Sequence, residues 1–265
     1  VSDSTMLYTS YGTGYKSGGT NTDRIEESLD VLFDAETSES FEVGMKADFP
    51  DQAMRVNLAL HMTDVDDLQT SGFEGNGFAL RNAGAADTYG AELEVYWQPL
   101  DRTTLSLGYA YTVADFDNFE GGSCWVATPW HTGQPDPGLN PNGSCDRSGG
   151  RVPSNPEDFL VLTANQEFSI SDTITGFVYG EYSYTGDMMT DINNDPLKHQ
   201  GSYSLVNLRA GIIFENYDAE ITAWGRNVLD EEYLSTVFDS VIQDGKMGAY
   251  YRDPATFGVT VRKHF

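Results

Sequence analysis

The side chains able to bind or react gather in two stretches. Residues 117–156 hold both cysteines, Cys124 and Cys145, with Trp125, Trp130 and His131 among prolines and glycines. Residues 186–202 hold Met188, Met189, Asp191, Asp195, Lys198 and His199. Two cysteines with 20 residues between them lack the C-x-x-C spacing of a thiolate metal site, and a disulfide is the other reading. Aromatics in such a segment either stack on a ligand ring or sugar or pack the segment against itself. The run DINND at 191–195 is loosely like the oxygen ligands of a calcium loop, but it lacks the glycine and distal glutamate of an EF-hand. No metal site is expected. The acidic stretch 228–248, with Asp230, Glu231, Glu232 and Asp239, reads as solvated surface.

Catalysis is not expected. The chain has no G-x-S-x-G, H-E-x-x-H, phosphate loop or dinucleotide fingerprint, and His61, His131, His199 and His264 are scattered. No cofactor is implied. The formal net charge of −26 argues against nucleic acid, whose phosphates such a surface would repel.

The elements that carry these residues alternate with a period of two. Phe41, Val43, Met45, Ala47 and Phe49 alternate with Glu42, Gly44, Lys46 and Asp48. Met54 to Met62, Tyr89 to Trp97, Leu105 to Val113 and Val206 to Phe214 repeat the pattern. Stretches 159–168, 174–184 and 217–225 are less regular. Each clean stretch has about nine residues, the length of one tilted membrane crossing by a strand. Helical periodicity is not sustained, although 24–33 could form a short helix in a loop. No run of 18 apolar residues exists, which excludes a spanning helix but not a spanning strand.

Connections alternate in length. Short ones fall at Phe49–Ala53, Pro99–Thr103, Ser169–Thr173 and Glu215–Asp218, and long ones at 17–38, 64–80, 117–156, 186–202 and 228–248. About ten strands in an all-β, antiparallel, up-and-down meander follow, with the long loops at one end, as in a transmembrane β-barrel. Tyr89, Trp97, Tyr109, Tyr111, Tyr182, Tyr184, Tyr217, Tyr250 and Tyr251 fit interfacial girdles. A soluble acidic β-sandwich buries the apolar faces between two sheets instead. A self-contained small barrel or passive porin pairs its first strand with its last.

The closing run places Phe257, Val259, Val261, Lys263 and Phe265 on one face. A terminal aromatic on an amphipathic strand looks like the signal that outer-membrane barrels present to their assembly machinery, here Phe265. Lys263 departs from that pattern, and a long stem can carry its charge to the interface. Five segments together resemble TonB-dependent receptors: Leu7–Gly19 (LYTSYGTGYKSGG), Glu36–Lys46 (ETSESFEVGMK), Arg81–Pro99 (RNAGAADTYGAELEVYWQP), Arg226–Tyr233 (RNVLDEEY) within the pair 207–233, and Tyr251–Phe265.

The resemblance implies a barrel of about 22 strands around a plug, of which residues 1–265 are the C-terminal strands. With no leader or plug in these residues, the chain is expected to be a piece of a longer one. The implied function is uptake of a scarce, large nutrient, usually a ferric siderophore, energised through TonB by the absent N-terminal part. The implied partners are the Gram-negative outer membrane with its lipopolysaccharide, the barrel-assembly machinery and a small-molecule ligand. An extracellular setting for the longest loop is oxidising, so Cys124 and Cys145 are expected to pair, stabilising by roughly 3 kcal/mol. Trp125, Trp130, His131, Met188, Met189 and His199 are the expected ligand contacts.

Overall fold

The computed structural model describes residues 4–22, 31–74, 77–125, 136–141, 143–240, 243 and 245–264. Numbered in chain order, ten long strands form one antiparallel sheet: β1 (Thr5–Lys16), β4 (Glu36–Phe49), β5 (Met54–Asp66), β8 (Ala85–Leu100), β9 (Thr103–Asn118), β10 (Asp158–Ser171), β11 (Ile174–Thr185), β14 (Tyr203–Phe214), β15 (Ala219–Arg226) and β18 (Thr256–Lys263). Each pairs with its predecessor and successor, so the sheet is an up-and-down meander. β1 and β18 are its two edges and do not pair with each other.

Alternation fixes which face each side chain takes, and register lines the faces up. One row across seven strands reads Ala47, Val56, Val95, Leu107, Leu162, Tyr182 and Val206. The adjacent row on the other face reads Asp48, Arg55, Tyr96, Ser106, Thr163, Glu181 and Asn207. The apolar face is left open: Leu60 is 50%, Leu208 48% and Val259 69% exposed. Water would leave such a face uncovered at high cost, whereas lipid solvates it. No second sheet covers it among the described residues, so the sandwich arrangement is not the one formed.

Aromatics mark the ends of the apolar face. Trp97 sits at the short-turn end, where its indole N–H donates to the Gln52 carbonyl at 3.1 Å. Tyr89 lies eight residues away on the same face, about 26 Å of strand, which a tilt of roughly 40° reduces to about 20 Å of height. Above Tyr89 the outer face turns acidic, with Glu39, Asp64, Asp87 and Asp115 directly side by side on four strands.

The short connections are as tight as expected. Pro50–Gln52 and Glu215–Tyr217 each form one 3₁₀ turn that ends on a left-handed residue, Ala53 (φ 47°) or Asp218 (φ 44°). The long connections differ from plain loops in carrying hairpins: β2 (Gly19–Thr20) with β3 (Leu32–Phe33), β6 (Gln69–Glu74) with β7 (Gly77–Asn82), β12 (Met188–Met189) with β13 (His199–Gln200), and β16 (Leu234–Asp239) with β17 (Met247–Tyr251). β8 and β9 reach 16 residues each, longer than one crossing, because their upper ends continue into this loop structure.

Several boundaries move accordingly. The loop expected at 64–80 runs from 67 to 84, the one at 228–248 runs from 227 to 255, and the closing strand begins at Thr256 rather than Tyr251. Tyr250 and Tyr251 therefore belong to β17 and leave the girdle. Most of the helix expected at 24–33 lies outside the described residues, and its end, Leu32–Phe33, is strand. Phe265 also lies outside them.

The water-excluding core sits at the long-loop end of the sheet, where Ala86 of β8 and Phe116 of β9 contribute to it. Ala83, Ala86, Phe116 and Phe119 form the buried apolar cluster, joined by Leu68, Val152 and Ile192 from the long-loop end.

Candidate functional site: the long-loop lobe and its ionic ties

That apolar cluster anchors a lobe built from the connections 119–157, 186–202 and 227–255. Cys124 and Cys145 form a disulfide with S–S 2.05 Å. The Asp136 carboxylate lies beside it, but the sulfurs are bonded to each other and offer no metal ligand. The Arg147 guanidinium donates to Asp136 through both terminal nitrogens, the Nη1 bond measuring 2.9 Å. Its Nε and Nη2 also donate to the Ser123 carbonyl at 3.1 and 2.8 Å. Both side chains are about 5% exposed, so the fork holds the ends of one loop together away from water. Burial opposes the Asp136 charge. Arg147 and the N–H groups of Trp125 and Gly138 outweigh it and hold the carboxyl below the usual range.

Lys198 is fully buried at the end of the 3₁₀ turn Pro196–Lys198. Its ammonium donates to Asp191 of its own loop and, at 2.6 Å, to Asp239 of β16. An ammonium in that position demands counter-charge, since desolvating it alone costs several kcal/mol. The DINND run supplies it together with turn geometry. Asp195 caps the turn by accepting from Leu197 N at 2.9 Å, and Asn194 Oδ1 accepts from Arg151 N at 3.0 Å. The run is thus a structural knot, and Asp239 belongs to the same knot rather than to solvated surface.

Two of the expected contact residues turn inward. Trp125 is half-buried; its indole donates to the Asn193 carbonyl at 3.0 Å and the Arg147 guanidinium lies 5.7 Å from its ring. Met189 is 9% exposed, while Met188 is half-buried beside it. His199 stays accessible and its Nε2 lies 2.9 Å from Asp187, which also accepts from Arg151 at 2.7 Å. His199 and then Arg151 hold the Asp187 carboxyl below the usual range. Trp130 and His131 lie outside the described residues. The structure therefore brings Trp125, Met188, Met189 and His199 into one lobe, with Trp125 and Met189 as packing residues.

Sequence reasoning missed Arg147 and Arg151, and it named Lys198 without its organising role. A signal was present: they are rare cations inside acidic loops, in a chain with 15 Lys and Arg against 41 Asp and Glu.

A family model described as TonB dependent receptor-like, beta-barrel matches residues 1–228. The ferric yersiniabactin uptake receptor of Yersinia pestis superposes with TM-score 0.78 at 21% identity, covering 100% of this chain and 36% of that one. The siderophore receptor PiuA of Acinetobacter baumannii gives TM-score 0.67 at 19% identity, over 98% of this chain and 34% of that one. The ferripyoverdine receptor of Pseudomonas aeruginosa gives 0.65 at 19%, over 99% and 31%. The chain spans about a third of the length of these receptors, and at such identities the likeness is one of fold. The family match, over most of the sequence, goes further: this chain belongs to the TonB-dependent receptor β-barrel family.

Proposed function

We propose that residues 1–265 are the C-terminal strands of a receptor barrel that imports a ferric siderophore across the Gram-negative outer membrane. The observation that carries this reading is the family match over residues 1–228. Two structural facts support it. An apolar face open over ten strands suits lipid, and its acidic upper margin suits a headgroup region. The two free edges, β1 and β18, suit a wall that continues into further strands, because an unpaired edge is not tolerated in hydrocarbon.

In this reading the lobe of 119–157, 186–202 and 227–255 faces outward and meets the ligand, with His199, Met188, Trp130 and His131 as its contacts. Energy comes through TonB acting on an N-terminal plug. Phe265 addresses the chain to the assembly machinery, and lipopolysaccharide surrounds the upper wall. The solved relatives named above are receptors for yersiniabactin and pyoverdine complexes, which favours a siderophore as cargo.

The test is uptake of radioactive iron by cells lacking the receptor gene, with and without the gene restored, from a panel of ferric siderophores. Restored uptake of one siderophore, abolished when TonB is deleted, is the expected result. Uptake that persists without TonB would favour a passive pore. No restored uptake from any siderophore would remove the iron cargo.

A further inference from the structure

The outward face of the wall has a dip in it. Register places Trp97, Leu105, Ala164, Gly180 and Leu208 in one row across β8, β9, β10, β11 and β14. Ala164 and Gly180, side by side, are its floor. The next row on the same face rises again at Leu162 and Tyr182. The result is a groove of about 540 Å³. Gly180 keeps it open. The nearest atom to a Cβ there is Leu208 Cδ2, at 3.6 Å, which is ordinary contact. Gly176 and Gly225 also face outward, yet their space is taken. A Cβ on Gly176 would come within 2.5 Å of the Phe168 ring, and one on Gly225 within 2.7 Å of Val228.

The groove lies well inside the sheet. β1, β4 and β5 stand on one side of it and β15 and β18 on the other. Further strands joined at the two edges, or any filling of the interior, leave it uncovered. Its polar groups are already engaged. Alternation sends the side chains of Ser106, Thr163 and Glu181, which border it, to the other face. The Trp97 indole N–H donates to the Gln52 carbonyl at 3.1 Å, and the Tyr182 hydroxyl lies 2.9 Å from Ser204 Oγ. An apolar occupant fits such a lining, and thickness decides which. A helix, about 10–12 Å across, would ride on the rims. A second copy meeting this one groove to groove would enlarge the void. A single acyl chain is thin enough to reach the floor. Among lipid tails no hydrophobic force favours one contact over another, so packing decides. A void forfeits dispersion along its lining, and a chain seated in the groove gains contacts on three sides where a flat wall offers one.

We propose that the groove holds one acyl chain of an inner-leaflet phospholipid, as a resident lipid that exchanges more slowly than its neighbours. On β8 and β9 the groove begins at Trp97 and Leu105, next to the short turn at 101–102. The short turns are the periplasmic end in the receptor reading, and the choice of leaflet rests on that reading.

The experiment uses the whole receptor carrying this chain, reconstituted into vesicles of dibrominated dioleoylphosphatidylcholine and then extracted and washed with detergent. The readouts are the mass of the intact complex and the quenching, by bromine, of the emission that Trp97→Phe removes. Washing should strip bulk lipid and leave one brominated phospholipid per barrel, with Trp97 still quenched. Gly180→Leu, which fills the groove, should lower the ratio of lipid-bound to lipid-free receptor about tenfold and restore the Trp97 emission. An unboiled gel sample should keep the mobility of the folded barrel. Ala223→Leu, on the same face but outside the groove, should keep the lipid. If Gly180→Leu does not fold, Ala164→Leu makes the same test, and the wild-type wash still decides. No lipid left after washing, equal retention in the folded Gly180→Leu receptor, or equal loss in Ala223→Leu would overturn the site. Retention of lipopolysaccharide in place of the phospholipid would overturn it too. Iron uptake is scored separately: uptake without a retained lipid removes this inference alone, and a retained lipid without uptake removes only the receptor reading.

Discussion

The ammonium of Lys198 and the carboxylate of Asp239 lie 2.6 Å apart across 41 residues of sequence, joining two long connections through a side chain with no exposure. Asp191 completes the pair into a triad. Replacing Lys198 by Met leaves two carboxylates close together without their cation. Removing one partner of a buried pair costs about 3–5 kcal/mol. Lys198→Met should therefore open 186–202 and 227–255 to protease and speed their amide exchange, while barrel heat-modifiability stays unchanged. Unchanged exchange in both segments would show that the triad does not hold them.

The disulfide should act on the lobe alone. Cys124 and Cys145 close a loop with sequence separation 21, for which chain entropy predicts roughly 3 kcal/mol. Replacing both by Ser should expose the segment between them to cleavage under non-denaturing conditions and leave the strand signal in circular dichroism intact. Equal cleavage rates with and without the bridge would contradict this.

Acid should loosen the same lobe. The folded-state pKa of Asp136 is depressed, so its contribution is complete above the unfolded value and is lost as pH falls through the folded one. Asp187 shifts the same way. Protection of 119–157 from protease should hold from neutral pH down to about 4 and decline below it. The Asp136→Asn variant should show weaker protection at neutral pH and a flatter acid response. A wild-type profile independent of pH down to 3 would count against the Arg147 fork as the tie.

The two faces of the sheet should respond oppositely to charge. Leu60, paired with Val43 and Ala91, faces outward; Glu92, opposite Ala59, faces inward. An arginine at the lipid midplane costs about 2–4 kcal/mol. Leu60→Arg should destabilise refolding into bilayers by that amount, and Glu92→Arg, beside other carboxylates, by less than about 1 kcal/mol. Equal losses would mean that the faces are assigned the wrong way round.

The acidic row above the apolar band carries a cost of its own. Glu39, Asp64, Asp87 and Asp115 stand directly opposite one another, and like charges in that relation destabilise a sheet. Asp87→Asn should raise stability in detergent by roughly 0.2–1 kcal/mol, an effect that shrinks at high salt. A loss of stability would refute the repulsion.

The sheet was legible in the sequence because a barrel wall needs only local alternation, and alternation survives without knowledge of partners. Phe41 to Phe49 and Met54 to Met62 specify their faces and, through the tight turn at Pro50, their register. The lobe was much less legible. Lys198 and Asp239 belong to different connections, and nothing local says that they meet. Trp125 and Met189 look like surface residues of two separate loops, yet their contacts come from segments distant in sequence. Tyr250 and Tyr251 stand at the start of a strand-like run, but they belong to a hairpin beyond the ten-stranded sheet, and a strand pattern alone does not report height.

The aromatic residues that face glycine across the wall carry a mechanical consequence. Tyr8 opposes Gly44, Phe168 opposes Gly176, Phe177 opposes Gly211 and Trp224 opposes Gly258. A Cβ on Gly44 would come within 2.4 Å of the Tyr8 ring, and one on Gly258 within 2.4 Å of the Trp224 ring. Each ring occupies the space that a Cβ on its glycine would take, clamping two strands where a side chain on the second would hold them apart. Such clamps resist sliding of one strand past the next, since a slip of one residue takes the ring off its glycine and onto a Cβ. The wall is thereby stiff in shear, a rigid frame against which the tied loops above it can move as a unit.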